Sequence, residues 1–135
     1  MKRHHVMILA ALGIFLSSVF ASAAVLDDLL LKYQKTSGTA LSATAGETLW
    51  KEKHPQAAGA PSRSCASCHG DNLRQTGKHE KTGKKIDAMA PSVNAKRLTD
   101  AVFIEKWFKR NCQWTWGREC TPTEKGQLLM FLKNQ

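Results

Sequence analysis

Cys65-Ala66-Ser67-Cys68-His69 sets two cysteines three residues apart and a histidine directly after the second. This spacing is the attachment signature of a c-type haem. Two thiols so placed can add to the two vinyl groups of one haem c as thioethers. The tether then holds His69 against the iron as its proximal ligand. Neutral imidazole ligates iron well, and its second ring nitrogen ordinarily donates to a group that fixes the ring. Two plainer readings compete. A thioredoxin-like redox pair calls for a βαβ context, which the chain lacks. A zinc site needs two more ligands, and Cys112 and Cys120 lie apart with no histidine beside them.

Haem attachment of this kind takes place outside the bacterial cytoplasmic membrane, so the N-terminus matters. Met1-Lys2-Arg3 is positive, Val6 to Phe20 is largely apolar, and Ala21-Ser22-Ala23 is a small-residue cleavage pattern. Residues 1–23 therefore read as a cleaved signal peptide and the product as periplasmic. A membrane anchor is the competing reading, but the apolar run is short for a bilayer span of roughly 20 residues. Stable membrane insertion after cleavage is not expected. Residues 24–135 form one small domain, whose apolar core alone is marginal. A buried haem would enlarge it. The whole chain carries a formal charge of +9, about +7 once Lys2 and Arg3 are removed. Export argues against nucleic acid as the partner. The charge suits steering toward an acidic redox protein.

The remaining pattern is helical. Leu26, Leu29, Leu30 and Tyr33 share one face. A second helix starts near Ala43, capped by Ser42 or Thr44, with Leu49-Trp50 as its apolar anchor. Gly46 within it suggests a close helix contact. Residues 70–85 are polar and read as a basic loop at the haem edge, with Lys78, Lys81, Lys84 and Lys85 as a docking patch or an ordinary solvated surface. Thr99-Asp100 caps a third helix running to about Arg110. Phe103 and Trp107 lie four apart on it, and Asn111 extends that face. Thr121, Pro122 and Glu124 spell a capping box for the last helix. No strand pattern is visible, so the domain is expected to be all-α.

Cys112 and Cys120 are left over after haem attachment and should pair in an oxidising compartment. The ligand opposite His69 decides function, because methionine there makes an electron carrier whereas an open or weak position admits small molecules. Met89, His79, His54 and an open site all remain candidates on the residues alone.

Gly46 to Trp50, the haem motif and Leu129 to Lys133 together resemble a class I cytochrome c, which implies four or five helices around one haem. Ala90-Pro91-Ser92 is similar to that fold's proximal loop, where a proline carbonyl accepts from the ligand histidine. That would place Met89 on the His69 side. A closer resemblance lies in Lys106-Trp107, Arg110-Asn111-Cys112 and Gly117 to Pro122 with Glu124-Lys125. With Cys68-His69-Gly70 and Thr82-Gly83-Lys84, these residues look like the Sphaeroides haem protein (SHP) family. The resemblance implies that Asn111 is a distal ligand displaced on reduction, that Cys112–Cys120 is a disulfide, and that the reduced haem binds O2, NO or CO. It further implies electron exchange with a dihaem cytochrome c or a membrane cytochrome b. The alternatives are a His/Met electron carrier using Met89, and a small oxidase or NO dioxygenase. No acid–base cluster stands near Asn111 apart from Glu119, which weighs against an enzyme. The roles of Trp114 and Trp116 stay open.

Overall fold

A computed structural model of the chain describes residues 24–57 and 59–135. The segment read as a signal peptide lies outside the described residues. A first helix, α1, is described over residues 24–37. It is followed by α2 (Ala43–Lys51), α3 (Ala66–His69), a hairpin of β1 (Gly77–Lys78) and β2 (Lys85–Ile86), α4 (Ala101–Trp116) and α5 (Pro122–Lys133).

The expected helix starts are made by the side chains that signalled them. The Ser42 hydroxyl accepts from the Ala45 N–H, and an Asp100 carboxylate oxygen accepts from the Phe103 N–H at 3.0 Å. At α5 the capping box closes both ways. Thr121 Oγ1 accepts from the Glu124 N–H, and Glu124 Oε2 accepts from the Thr121 N–H at 2.8 Å. Each cap satisfies donors that the first turn leaves unpaired.

Two apolar clusters share α5. Leu129 is fully buried against Leu26, Leu29, Leu30 and Tyr33 of α1 and Ile104 of α4. Leu128, Phe131 and Leu132 face the other way, toward Trp50, Leu73 and Ala90. A helix buried on both flanks needs no polar stripe, which is why its apolar residues run almost side by side. α2 crosses α5 at Gly46. A Cβ there would strike the Gln127 carbonyl oxygen and lie 2.7 Å from Phe131 Cβ. The Trp50 and Phe131 rings meet beside this crossing with centroids 5.9 Å apart. The close contact expected of Gly46 is therefore present.

Two boundaries differ from the sequence reading. α4 does not end near Arg110 but continues through Gln113-Trp114-Thr115-Trp116. Nothing in that stretch breaks a helix; the stop is Gly117, in the left-handed region at φ 71°. The polar span after the haem motif is not all loop either. Gly77 and Lys78 pair antiparallel with Ile86 and Lys85, and Gly83 at φ 69° makes the turn. Strands of two residues carry no visible alternation.

Glu105 ties three helices together. Its carboxylate accepts from Lys32 of α1 at 2.8 Å and from Lys125 of α5 at 3.0 Å. Burial by itself would raise this carboxyl, but the hydrogen bonds from Lys32 and Lys125 outweigh it and hold the group down at about 2.

Gly46→Ala is expected to lower unfolding stability by about 1–3 kcal/mol, the usual range for overpacking. This holds despite the better helix propensity of alanine, worth about 1 kcal/mol. A lower denaturant midpoint is the readout; an unchanged midpoint would mean that the helices can spread freely. Glu105 has a depressed folded-state pKa, so its contribution is fully present above the unfolded value near 4.5 and is lost as pH falls toward about 2. Glu105→Gln should therefore cost roughly 1–2 kcal/mol at pH 7, allowing for partial solvent screening. That difference should shrink through this acid window in parallel melts.

Candidate functional site

The motif Cys65–His69 occupies a single turn of helix, too short to be stable alone. Its neighbours supply the stability. Ser64 Oγ accepts from the Ser67 N–H, and Ser67 Oγ accepts from the Ser64 N–H at 3.0 Å. The Trp50 indole donates to the Gly70 carbonyl at 3.0 Å, and its ring lies 5.5 Å from that of His69. On the other side Gly77 lets the hairpin press against the motif. A Cβ there would strike the Cys68 carbonyl oxygen and come within 2.9 Å of His69 Cα.

Cys65 and Cys68 are free thiols, both half-buried. Burial pushes the Cys65 thiol up to about 12. Cys112 and Cys120 are bonded to each other instead, with Cα atoms 5.6 Å apart. The expected pairing is thus present, and the zinc reading loses the two ligands it would have borrowed.

His69 is held neutral. Burial, then the positive charge of Arg97, lowers it to about 4. A neutral ring with an available lone pair is what iron ligation needs. Its Nδ1 is buried without a hydrogen-bond partner, so the bond expected from His69 to the Pro91 carbonyl is not formed. The Pro91 turn is nevertheless fastened nearby. Met89 and Ala90 both donate their N–H groups to the Leu73 carbonyl at 2.9 Å, four residues beyond His69. Met89 packs its side chain against the cluster containing Trp50 and Leu73, the same indole that stacks on His69. Sequence reasoning missed Arg97. It donates to the Ala88 carbonyl at 2.9 Å and to the Asp87 carbonyl at 2.8 Å, and is followed by Leu98 in the left-handed region at φ 60°.

The other candidates are placed as follows. His79 accepts at Nδ1 from the Thr82 N–H at 3.2 Å inside the hairpin. The His54 ring stacks on Trp116 at 4.9 Å, and its backbone pairs with Arg63. Asn111 is half-buried on α4, directly before the disulfide. Trp114 lies three residues on from it along the same face and sits under the Arg63 guanidinium at 4.4 Å. Arg63 precedes Cys65 by two residues, so the end of α4 is in contact with the flank of the motif. Lys78, Lys81, Lys84 and Lys85 are all exposed. The ion pairs among the described residues use none of them.

Two free thiols at haem-attachment spacing, a neutral buried imidazole after them, and a second cysteine pair already closed form a donor set that fits covalent haem. It fits neither a redox disulfide nor zinc. No helix among the described residues is long and apolar enough to cross a membrane.

Comparison with known proteins agrees with this donor set. Residues 36–132 match the family model described as Domain of unknown function (DUF1924). Cytochrome c-type protein SHP of Cereibacter sphaeroides is 38% identical over 90% of this chain and 97% of its own. Cytochrome c'' of Methylophilus methylotrophus is 33% identical over 93% of this chain and 91% of its own. The structure of oxidised SHP, described as an oxygen-binding cytochrome c, superposes with a TM-score of 0.74 at 36% identity, covering 82% of this chain and 96% of that one. Oxidised cytochrome c'' superposes with a TM-score of 0.75 at 32% identity, covering 83% and 95%. A solution structure of cytochrome c'', described as giving insight into haem-ligand detachment, has a TM-score of 0.72 at 33% identity, covering 82% and 93%.

Proposed function

This chain belongs to the DUF1924 family together with SHP and cytochrome c'', is a haem-binding cytochrome with a class I-like fold and carries covalent haem c, and from that premise we propose that it is an exported electron-transfer protein whose reduced haem binds a small diatomic ligand. Cys65 and Cys68 form the two thioethers, and His69 is the proximal ligand. Asn111 is the distal ligand, displaced on reduction. The haem supplies one-electron chemistry and, when reduced, a position for O2, NO or CO.

The observation that carries this reading is the placement of Asn111. It sits half-buried just before two ties on its C-terminal side, the Cys112–Cys120 bridge and the Trp114 contact with Arg63 one turn on. Its backbone is therefore restrained. An amide oxygen is a neutral, weak and comparatively hard donor that suits ferric better than ferrous iron. Asn111 would therefore hold ferric haem weakly and would give up its place on reduction. Met89 packs on the cluster that holds Trp50, Leu73 and Cys112. Its backbone is fastened to Leu73, beside the Trp50 ring that stacks on His69, which supports an assignment to the proximal side.

The name of SHP as an oxygen-binding cytochrome and the haem-ligand detachment ascribed to cytochrome c'' support both halves of the proposal. The signal-like N-terminus and the disulfide support a periplasmic location. Electrons would be exchanged with another cytochrome, a dihaem cytochrome c or a membrane cytochrome b being the expected kind. The lysine hairpin pressed on His69 gives an acidic partner a landing surface close to the haem.

Purified ferric protein is expected to lack the absorption band of an iron–methionine bond, and the reduced protein to bind CO readily. Asn111→Ala should change the ferric spectrum; an intact methionine band with no CO binding would sink the reading. The rate of reduction by an acidic donor cytochrome should fall with added salt. Replacing Lys81 and Lys84 by Glu should flatten that dependence, and a rate indifferent to both would remove the hairpin from the docking surface.

A further inference from the structure

We propose that Arg63 is a positioning residue for the distal ligand: it latches the C-terminal turn of α4 to the haem-attachment segment and so sets how easily Asn111 gives up its place. The inference rests on the reading of Asn111 as that ligand.

One guanidinium makes three different attachments. Its plane lies over the Trp114 indole at 4.4 Å, close enough for a cation–π contact. Its Nε donates to Glu80 Oε2 at 3.1 Å, and Nη1 donates to Gln56 Oε1 at 3.2 Å. The side chain is only 20% exposed and that of Glu80 33%, so these contacts are partly shielded from water. The attachments lead to separate parts of the site. Gln56 uses its amide nitrogen to donate to the Thr115 carbonyl at 2.9 Å and to the His54 carbonyl at 3.0 Å. The Glu80 N–H points at Cys68 Sγ, 3.4 Å away. The backbone of Arg63 is itself bonded to His54 in both directions, at 2.7 and 2.9 Å. His79 packs on Trp114 as well, at 5.7 Å.

Arg63 therefore joins the residue pair just after Asn111 and Cys112, namely Trp114 and Thr115, to the segment carrying both haem thiols. The disulfide restrains the same turn of α4 from the opposite side, but toward α5. Of the two restraints, the one through Arg63 acts directly between the distal ligand's helix and the haem attachment. A planar, delocalised cation is required for stacking and forked donation together, and lysine cannot supply both.

The test compares wild type with Arg63→Met, which keeps an apolar contact on Trp114 but removes the charge and both donors, and with Arg63→Lys and Trp114→Phe. Three measurements are made on the holoprotein: the rate of cyanide binding to the ferric haem, the ferric spectrum, and amide hydrogen exchange resolved by segment. Arg63→Met is expected to speed ferric cyanide binding roughly three- to tenfold, the scale of a partly shielded cation–π contact. It should also accelerate exchange over residues 112–117 while leaving α1 and α5 unchanged. Arg63→Lys should recover part of the effect, and Trp114→Phe should repeat a weaker version of it. Unchanged exchange over 112–117 in Arg63→Met would overturn the latch. So would altered exchange with an unaltered cyanide rate, or a loss of protection spread evenly over the whole domain in Arg63→Met and Trp114→Phe alike. Asn111→Ala run beside them separates the two ideas. If it leaves the ferric spectrum unchanged, the ligand assignment fails; if it perturbs the spectrum while Arg63→Met does nothing, the latch alone fails.

Discussion

The closeness of α2 and α5 governs the geometry of the site. With a hydrogen in place of a side chain at Gly46, the two helices touch through backbone, and Phe131 comes up against Trp50. Trp50 is thereby turned inward, where its indole reaches the Gly70 carbonyl and its face meets His69. A single helical turn has no cooperative stability of its own, so this side chain does for α3 what a longer helix would do for itself. Remove the glycine, and the helix pair, the indole and the histidine all shift together.

The two sides of the haem site are built by different means. On the His69 side the contacts go largely to backbone carbonyls, with Leu73 accepting from both Met89 and Ala90, Gly70 accepting from Trp50, and Arg97 pinned to the Ala88 and Asp87 carbonyls. A bulky residue in the left-handed region, Leu98, is retained beside it, and such strain persists only where the surroundings over-determine the backbone. On the Asn111 side the contacts run between side chains from distant parts of the chain. Side-chain stacks and ion pairs are softer than backbone ladders. In the reading proposed above, a firm His69 opposite a softer Asn111 is the asymmetry that a displaceable ligand needs.

Much of this was legible in the residues. Spacing rules read Cys65, Cys68 and His69, the Thr121–Glu124 capping box, and the close contact at Gly46 because each is a local pattern with a local cause. The end of α4 was placed too early, near Arg110, whereas the backbone stays helical to Trp116 and obeys only Gly117. The β1–β2 hairpin was missed because two-residue strands have no period. Arg63 and Arg97 were invisible for a different reason. Each acts on a residue that only the fold brings near, Trp114 for Arg63 and His69 for Arg97, and nothing in the local pattern distinguishes them from the other basic residues of a strongly basic chain.

Four thiols in one small domain raise a problem of assembly, because any two could pair wrongly before the haem is attached. The separation of eight residues between Cys112 and Cys120 gives a short closure with a small entropic barrier. Gly117 reverses the chain between them, and the capping box fixes the helix that begins just after Cys120. The pair is brought together by its own neighbourhood, without waiting for the rest of the fold. Crossed bonds to Cys65 or Cys68 would have to close loops of about forty residues or more. The same bridge that restrains the end of α4 in the finished protein thus withdraws two thiols early from crossed pairing with Cys65 and Cys68.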